Sequence, residues 1–395
     1  MERKENVYRQ GLAALAIVLI AGGLLWWNSA RHKTNSSDSG ITAEARLVAA
    51  KSAEQIHTEC EARGQSSDIF DCYADVFKIY IVAKDARQTL QLLDQLNNLG
   101  GYSQTNCHPL SHKIGNIALH VYGSPLAASP YYLPTCYSGF YHGLLEEYIS
   151  TEPDLKTAVT TACGTYDQSK VYFDWFQCTH GLGHGVMQYE QDDVLVSVKD
   201  CDLLDASNLA REICYGGVFM ENITTDAKTG HVSKYIKAED PIYPCNIVER
   251  QYKNACYFLS SSMILRLNGY NFQAGFKSCD TAEKDYVFLC YQSMGRDISG
   301  TYQNNIAKVN ELCPLGSASY IGHCYYGAVR DFINKDGQFE TALPMCQATP
   351  EAYKSNCYSA MIYDLGLLKK GQDYVNICNQ MPESYKQQCL GLKRA

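Results

Sequence analysis

The segment Pro350–Cys378 reads PEAYKSNCYSAMIYDLGLLKKGQDYVNIC and contains the pattern that decides the fold. Its Tyr353, Cys357 and Met361 recur at intervals of four residues, which places them on one helix face. A proline at the start suits the first turn of that helix. Gly371 suits a break before a shorter helix that ends at the final cysteine. The segment therefore predicts a unit of one long and one short helix.

This unit recurs in the second half of the chain as five pairs of cysteines with ten residues between them. The first cysteines of successive pairs are 34, 34, 33 and 32 residues apart, and a tyrosine stands four residues before every second cysteine. The pairs are Cys245 and Cys256, Cys279 and Cys290, Cys313 and Cys324, Cys346 and Cys357, and Cys378 and Cys389. A period near 34 residues is typical of two-helix solenoids. The layout resembles tetratricopeptide and Sel1-like arrays, and we expect an all-α solenoid of disulfide-stapled two-helix repeats.

The remaining cysteines form looser pairs and complete an even set of 18. These earlier pairs are Cys60 and Cys72, Cys107 and Cys136, Cys163 and Cys178, and Cys201 and Cys214. No C-x-x-C motif is present, which excludes zinc knuckles, thioredoxin-type redox sites and covalent c-type haem. An even, widely spaced set in an exported chain predicts disulfides. Each short loop closed in this way stabilises the fold by roughly 3 kcal/mol in the chain-entropy model.

The N-terminus predicts a membrane anchor. Basic residues precede an apolar run of 17 residues, Gly11–Trp27, which is at the short limit for a spanning helix. We interpret residues 1–30 as a signal anchor or transmembrane helix, with a cleaved signal peptide as the alternative, and residues 31–45 as a flexible tether. The body would then lie in the periplasm or the extracellular space, as part of a single-pass membrane protein.

The body divides by composition into two parts. Residues 46–240 are predicted to form elaborated helical repeats rich in histidine and glycine, and residues 241–395 to form the regular repeats. The formal charge of −8 and the absence of a basic run exclude nucleic acid as a partner. A solenoid face is a common surface for protein partners, so a protein partner on that face is a second expectation beside the membrane.

Six of the ten histidines lie between positions 108 and 184. They occur in the motifs CHPLSH, CYSGFYHG and CTHGLGHG, which begin at Cys107, Cys136 and Cys178. The repeat frame relates several of them through the sixth residue after each second cysteine. This position holds His142, His184 and Met220 in the early units and Ser262, Arg296, Arg330 and Tyr363 in the later units. Equivalent positions stack along one face of a solenoid, so these side chains should line one surface.

Helical spacing predicts a metal site on that surface. Two histidine pairs are four residues apart, although Pro109 suggests that His108 is a helix cap. The expected metal ligands are His108, His112, His142, His180 and His184, with Glu146 and Glu221 as further ligands or as a general base. Imidazole and carboxylate suit Zn, Fe, Cu or Mn, and an inward-facing Met220 would favour copper. The alternatives are binding or catalysis without a metal, and buried histidines that only hydrogen-bond between helices.

Two functions follow from these patterns. The first is a membrane-anchored extracytoplasmic metal-dependent enzyme, either a hydrolase or an oxidoreductase. The second is a non-catalytic scaffold for protein partners. No serine-hydrolase elbow, Walker loop or H-E-x-x-H motif is present. Dense glycines around the histidines indicate close helix approach or a backbone opened for a ligand. Arg296 with Asp297, and Arg330 with Asp331, are interpreted as solvated or inter-repeat ion pairs.

Overall fold

The computed structural model describes residues 43–164, 172–204, 208–229, 233–335 and 337–392, which are all-helical and contain no β-strand. The helices are α1 (Ala43–Ala49), α2 (Ala53–Glu61), α3 (Ser66–Ala83), α4 (Ala86–Leu99), α5 (Gly101–Thr105), α6 (Cys107–Tyr122), α7 (Pro125–Ala128), α8 (Thr135–Thr151), α9 (Leu155–Thr161), α10 (Tyr172–Tyr189), α11 (Val194–Cys201), α12 (Asn208–Thr229), α13 (Arg250–Leu259), α14 (Ser261–Leu267), α15 (Phe272–Cys279), α16 (Val287–Thr301), α17 (Ile306–Leu312), α18 (Ile321–Asn334), α19 (Ala342–Ala348), α20 (Lys354–Leu368), α21 (Gly371–Cys378) and α22 (Glu383–Gly391). Short 3₁₀ segments span Ser129–Tyr131, Cys313–Leu315 and Glu351–Tyr353.

The chain divides into two compact units, residues 1–51 and 52–395. Helix α1 is the described part of the first unit, and all other helices belong to the second. Among the described residues, no helix has both the length and the apolar character needed to cross a membrane. The run Gly11–Trp27 lies outside the described residues, as does the tether up to position 42, so the anchor and the tether stay predictions.

All nine predicted disulfides are present, so the pairing that the repeat predicted is confirmed for every cysteine. All 18 cysteines lie in the described ranges, and none of them is free. The bonds join Cys60 to Cys72, Cys107 to Cys136, Cys163 to Cys178, Cys201 to Cys214, Cys245 to Cys256, Cys279 to Cys290, Cys313 to Cys324, Cys346 to Cys357, and Cys378 to Cys389. No thiolate is therefore available as a metal ligand or as a nucleophile.

The predicted unit is also confirmed in the segment that defined it. Helix α20 follows a short 3₁₀ turn after Pro350, and α21 begins at Gly371, whose φ of 57° is in the left-handed region. Helix α21 ends at Cys378, which is bonded to Cys389 in α22. The first cysteine of each regular pair lies in a short helix or in the turn that precedes the next long helix. The disulfide therefore ties that point of the chain to the long helix that follows.

The recurring tyrosines pack one repeat on the next. The tyrosine after the second cysteine of a unit is fully buried and packs on the tyrosine that precedes the second cysteine of the following unit. The ring centroids are 5.1 Å apart for Tyr257 and Tyr286, and 4.1 Å apart for Tyr358 and Tyr385. Aromatic pairs at such distances add about 0.5–1.5 kcal/mol beyond area burial. The tyrosine spacing in the sequence thus corresponds to a contact between repeats.

The long helices pack in chain order, and this order positions the site. Helix α6 packs on α8, α8 on α10, α10 on α12, and the contacts continue through α13, α16 and α18 to α20. Helix α20 in turn contacts α10. Residues from these helices surround one cavity of ≈ 450 Å³. Side chains from distant parts of the sequence therefore face each other across this cavity.

Candidate metal centre

Glycines allow the histidine-bearing helices to approach closely. A Cβ at Gly143 of α8 would overlap the carbonyl oxygen of His112 in α6, and a Cβ at Gly217 of α12 would overlap the carbonyl oxygen of His180 in α10. No side chain larger than hydrogen fits between these backbones. The close approach of helices that the glycines predicted is therefore observed. It brings histidines from α6, α8 and α10 to one place.

Two pairs of imidazoles face each other through their Nε2 atoms. Helix α6 begins at Cys107 after the cap residue Asn106, so His108 lies inside the first turn rather than at a cap as the sequence suggested. Its Nε2 atom is 3.0 Å from Nε2 of His112. In α10, the Nε2 atoms of His180 and His184 are 3.4 Å apart. Both pairs use the four-residue spacing of one helix face.

Three of these four histidines have a hydrogen-bond acceptor at the opposite ring nitrogen. Nδ1 of His112 is 3.2 Å and 3.3 Å from the two carboxylate oxygens of Glu146. Nδ1 of His184 is 2.6 Å from Glu221, whose side chain is buried. Nδ1 of His108 is 2.7 Å from the carbonyl oxygen of Cys136.

An acceptor at Nδ1 fixes the proton on that nitrogen and leaves a lone pair on Nε2. Assigned in this way from the hydrogen-bond network, the Nε2 atoms of His108, His112 and His184 carry lone pairs. The contact between Nε2 of His108 and Nε2 of His112 is therefore repulsive unless a cation lies between the rings.

His142 lies between the two pairs and has no hydrogen bond of its own. Its side chain is 2% exposed, and neither ring nitrogen has a partner within the described part of the chain. Its ring centroid is 5.1 Å from that of His112 and 4.2 Å from that of His184. Burial, followed by the charge of His184, holds the pKa of His142 well below the usual histidine value. Burial and His184 likewise lower the pKa of His180 to about 3.

Three groups of these residues have the geometry to hold a metal ion. Within each group, one ligand atom per residue lies within 4.8 Å of the others. The groups are His108, His112 and His142; His142, His180 and His184; and Glu146, His184 and Glu221. Neutral imidazoles whose outer nitrogens bind carboxylates or carbonyls form the usual ligand shell of a protein metal site. The buried histidines and glutamates can therefore hold a metal ion.

Met220 and the backbone supply contacts that the sequence only partly indicated. The sulfur of Met220 is 3.4 Å from Nε2 of His180, so this side chain faces inward. The carbonyl of Cys136 precedes Tyr137 and Ser138 in a turn of three residues with φ between 53° and 61°. Left-handed conformations in three consecutive non-glycine residues are costly. Nothing in the motif CYSG indicates this turn, and the acceptor for His108 could not be predicted.

The cavity connects the histidines with the later repeats. His108, His142, His180 and Met220 form part of its lining. Arg296, Arg330 and Tyr363, which are the later counterparts of His142 in the repeat frame, also line it. Five of the seven residues at this repeat position therefore line the cavity, whereas His184 and Ser262 do not.

Of the two interpretations of Arg330, the inter-repeat ion pair is observed, because its Nε is 3.1 Å from both carboxylate oxygens of Asp364 and the partner is therefore not the adjacent Asp331. Since Asp364 belongs to α20, the next long helix, the ion pair joins two repeats. The pair of Arg296 and Asp297 is present at 2.8 Å, with both side chains largely buried rather than solvated.

Comparison of the chain with protein-family models, with curated proteins and with solved structures finds no match. The chemistry of the site is therefore inferred from its own geometry.

Proposed function

We propose that the protein is a metalloenzyme that holds a transition-metal centre with its five clustered histidines. The carrying observation is the opposed orientation of the two histidine pairs. The outer Nδ1 atoms of His108, His112 and His184 bind acceptors, and the Nε2 atoms within the two pairs lie 3.0 Å and 3.4 Å apart. A metal ion accepts several nitrogen lone pairs at once and removes this repulsion. It would also provide a partner for His142, which otherwise has none within the described residues.

A shared proton explains the geometry less well. A proton between two Nε2 atoms would create an imidazolium inside the cluster. Burial lowers the pKa of His142 and His180, because the charged form is poorly solvated there. A metal ion is bound by several ligands, and Glu146 and Glu221 lie close enough to offset its charge. Neutral imidazoles are also the form that metals require, so the lowered pKa values favour ligation.

The ligand set favours copper among the four expected metals. Imidazole nitrogen suits copper, zinc and iron, whereas manganese prefers oxygen ligands. The inward sulfur of Met220, 3.4 Å from Nε2 of His180, adds a soft donor that copper accepts readily. Copper would supply oxidative chemistry at this site, so oxidoreductase is preferred to hydrolase.

Glu146 and Glu221 are assigned as positioning residues rather than as a general base. Each carboxylate contacts the Nδ1 atom of a histidine, on the side away from the facing Nε2 atoms. Such carboxylates orient the ring and raise its basicity. The enzymatic interpretation rests on access, because His108, His142 and His180 line a cavity large enough for a small molecule.

The setting of this enzyme is part of the proposal. Nine disulfides support an oxidising, extracytoplasmic compartment for the body. The apolar run Gly11–Trp27 supports an N-terminal membrane anchor. The sequential packing of long helices supports a solenoid built from the 34-residue repeats.

Metal analysis of the purified exported body tests the proposal. The protein is loaded separately with Cu, Zn, Fe or Mn, desalted, and compared with a double variant that carries His142→Ala and His184→Ala. We expect at least one tightly bound equivalent in the parent, with copper retained best, and none in the double variant. His120→Ala is the matched control, because this histidine is 64% exposed and contacts Glu147 outside the cluster. Absence of stoichiometric metal in the parent would overturn the proposal and favour the scaffold.

A further inference from the structure

The cavity beside the histidines contains buried polar side chains that have no hydrogen-bond partner among the described residues. Gln177 of α10 and Gln292 of α16 both line it and are each 7% exposed. Neither side chain makes a hydrogen bond within the part of the chain that the structure describes. Oδ2 of Asp331 is also buried and unpartnered there. Buried polar groups normally have a partner, so the two glutamines indicate a ligand with hydrogen-bonding groups of its own, and Asp331 adds a carboxyl group to the same lining.

The charges around the cavity do not favour an anionic ligand. Arg330 is paired with Asp364, and Arg296 is paired with Asp297. Both guanidinium charges are thus already compensated. The free acceptor on Asp331 would repel an anion in its ionised form. A neutral ligand whose hydroxyl groups donate to carboxylate and amide oxygens fits these groups better.

The rest of the lining is aromatic and aliphatic. The aromatic side chains are Tyr137, Tyr172, Phe176, Phe258, Phe288 and Tyr363. Aromatic walls pack best against flat rings. The volume of ≈ 450 Å³ is within the range of small-molecule sites. The unpartnered polar groups lie at separate places along the wall, since Gln177 is on the helix that carries His180, whereas Gln292 and Asp331 are on α16 and α18.

We propose that this cavity binds a neutral phenol that carries a second hydroxyl group at its other end. The ring packs on the aromatic walls, the phenolic oxygen lies toward Gln177 and the histidines, and the distal hydroxyl contacts Gln292 and Asp331. The placement of the phenolic oxygen beside a metal rests on the proposed function. Binding in the cavity itself depends only on the unpartnered polar groups and the aromatic lining.

Isothermal titration calorimetry with 4-(2-hydroxyethyl)phenol tests this assignment. The comparison ligand is 4-hydroxyphenylacetate, which has the same ring but carries an anion in place of the distal hydroxyl. We expect the neutral phenol to bind at least tenfold more tightly than the anion. Equal or tighter binding of the anion, or no binding of the neutral phenol, would overturn the proposal.

Variants identify the binding groups. Gln292→Leu should weaken binding of the neutral phenol about tenfold and reduce its preference over the anion, with metal content and melting temperature unchanged. Gln388→Leu is the matched control on the exposed face of α22 and should bind like the parent. A Gln292→Leu variant with parental affinity and preference would remove Gln292 from the site and overturn the assignment.

The metal dependence separates this inference from the proposed function. Binding to metal-free protein with the expected effect of Gln292→Leu supports the cavity assignment, even where the parent holds no metal. A protein that holds copper but does not bind the phenol retains the proposed function and overturns this inference. A change in the visible absorption of the copper-loaded protein on phenol binding supports contact between the phenol and the metal centre.

Discussion

Replacing His142 by leucine should stabilise the metal-free protein and weaken metal binding at the same time. Both ring nitrogens of His142 are buried without a partner among the described residues. A buried unsatisfied polar group costs about 1–3 kcal/mol, and leucine has a similar volume but no polar atom. The substitution also removes a stacked contact with His184 at 4.2 Å, which is worth about 0.5–1.5 kcal/mol. Because two unsatisfied ring nitrogens are removed and together outweigh the lost ring contact, we expect a net gain of about 1–3 kcal/mol in the unfolding free energy.

Differential scanning calorimetry measures both halves of this prediction. With a chelator present, the melting temperature of His142→Leu should exceed that of the parent by about 2–6 °C, because about 1 kcal/mol corresponds to 2–4 °C in proteins somewhat smaller than this one. With metal present, the order should reverse. A metal ion at 1,000 times its Kd adds about 4 kcal/mol to the unfolding free energy of the parent. The variant lacks one of the imidazoles that would bind this ion.

His323→Leu provides the matched control. His323 also has a buried ring nitrogen without a partner within the described residues, but it packs on Phe288 outside the metal-ligand groups. Its substitution should leave the stabilisation by metal unchanged. The reasoning would be refuted if metal-free His142→Leu melted below the parent while metal raised both melting temperatures equally. His142 would then be a packing residue.

Three further changes test the helix approach, the carboxylate shell and a buried acid. Gly143→Ala should cost roughly 3 kcal/mol of stability and abolish metal binding, because the new Cβ overlaps a neighbouring backbone. The control is Gly366→Ala, where a Cβ meets no other atom, and it should stabilise the protein by about 0.5–1 kcal/mol. Denaturant titrations measure both changes. Glu221→Gln should lower metal affinity about 10–100-fold in chelator competition, since it weakens the contact with His184, and unchanged affinity would contradict its positioning role. Burial raises the pKa of Asp331 to about 6, above the unfolded value of 3.8. The stability that its protonated carboxyl group contributes is therefore fully present below pH 3.8 and is lost as the pH rises through about 6. Asp331→Asn should match the parent near pH 3.5 and be more stable by about 1–3 kcal/mol at pH 8, and a difference that does not vary with pH would contradict this.

The local parts of the fold were predictable from the sequence. Each regular disulfide closes a loop of ten residues, so its pairing follows from the repeat without knowledge of distant contacts. The start of the last short helix followed from Gly371, and its end followed from Cys378. The sequence shows that the tyrosines recur, but it does not show which tyrosine of one repeat contacts which tyrosine of the next. The stacking of Tyr358 on Tyr385 could therefore not be predicted.

The site was predictable in its residue types but not in its contacts. The four-residue spacing identified His180 and His184 as neighbours, and their Nε2 atoms do lie 3.4 Å apart. The pairing of Arg330 with Asp364, rather than with the adjacent Asp331, depends on the register between α18 and α20. That register is set by packing across the repeat interface, which sequence spacing within one repeat does not specify.

The disulfides also explain how a costly cluster of histidines persists in the folded chain. The staples Cys107–Cys136, Cys163–Cys178 and Cys201–Cys214 involve residues on or beside α6, α8, α10, α11 and α12, the helices that carry or flank the cluster. Each closed loop stabilises by roughly 3 kcal/mol, which is comparable to the roughly 1–3 kcal/mol that an unpartnered buried polar group costs. The metal-free protein can therefore keep its imidazoles in the arrangement that a metal requires. The longer disulfide loops of the early repeats and the short loops of the late repeats keep the same covalent frame.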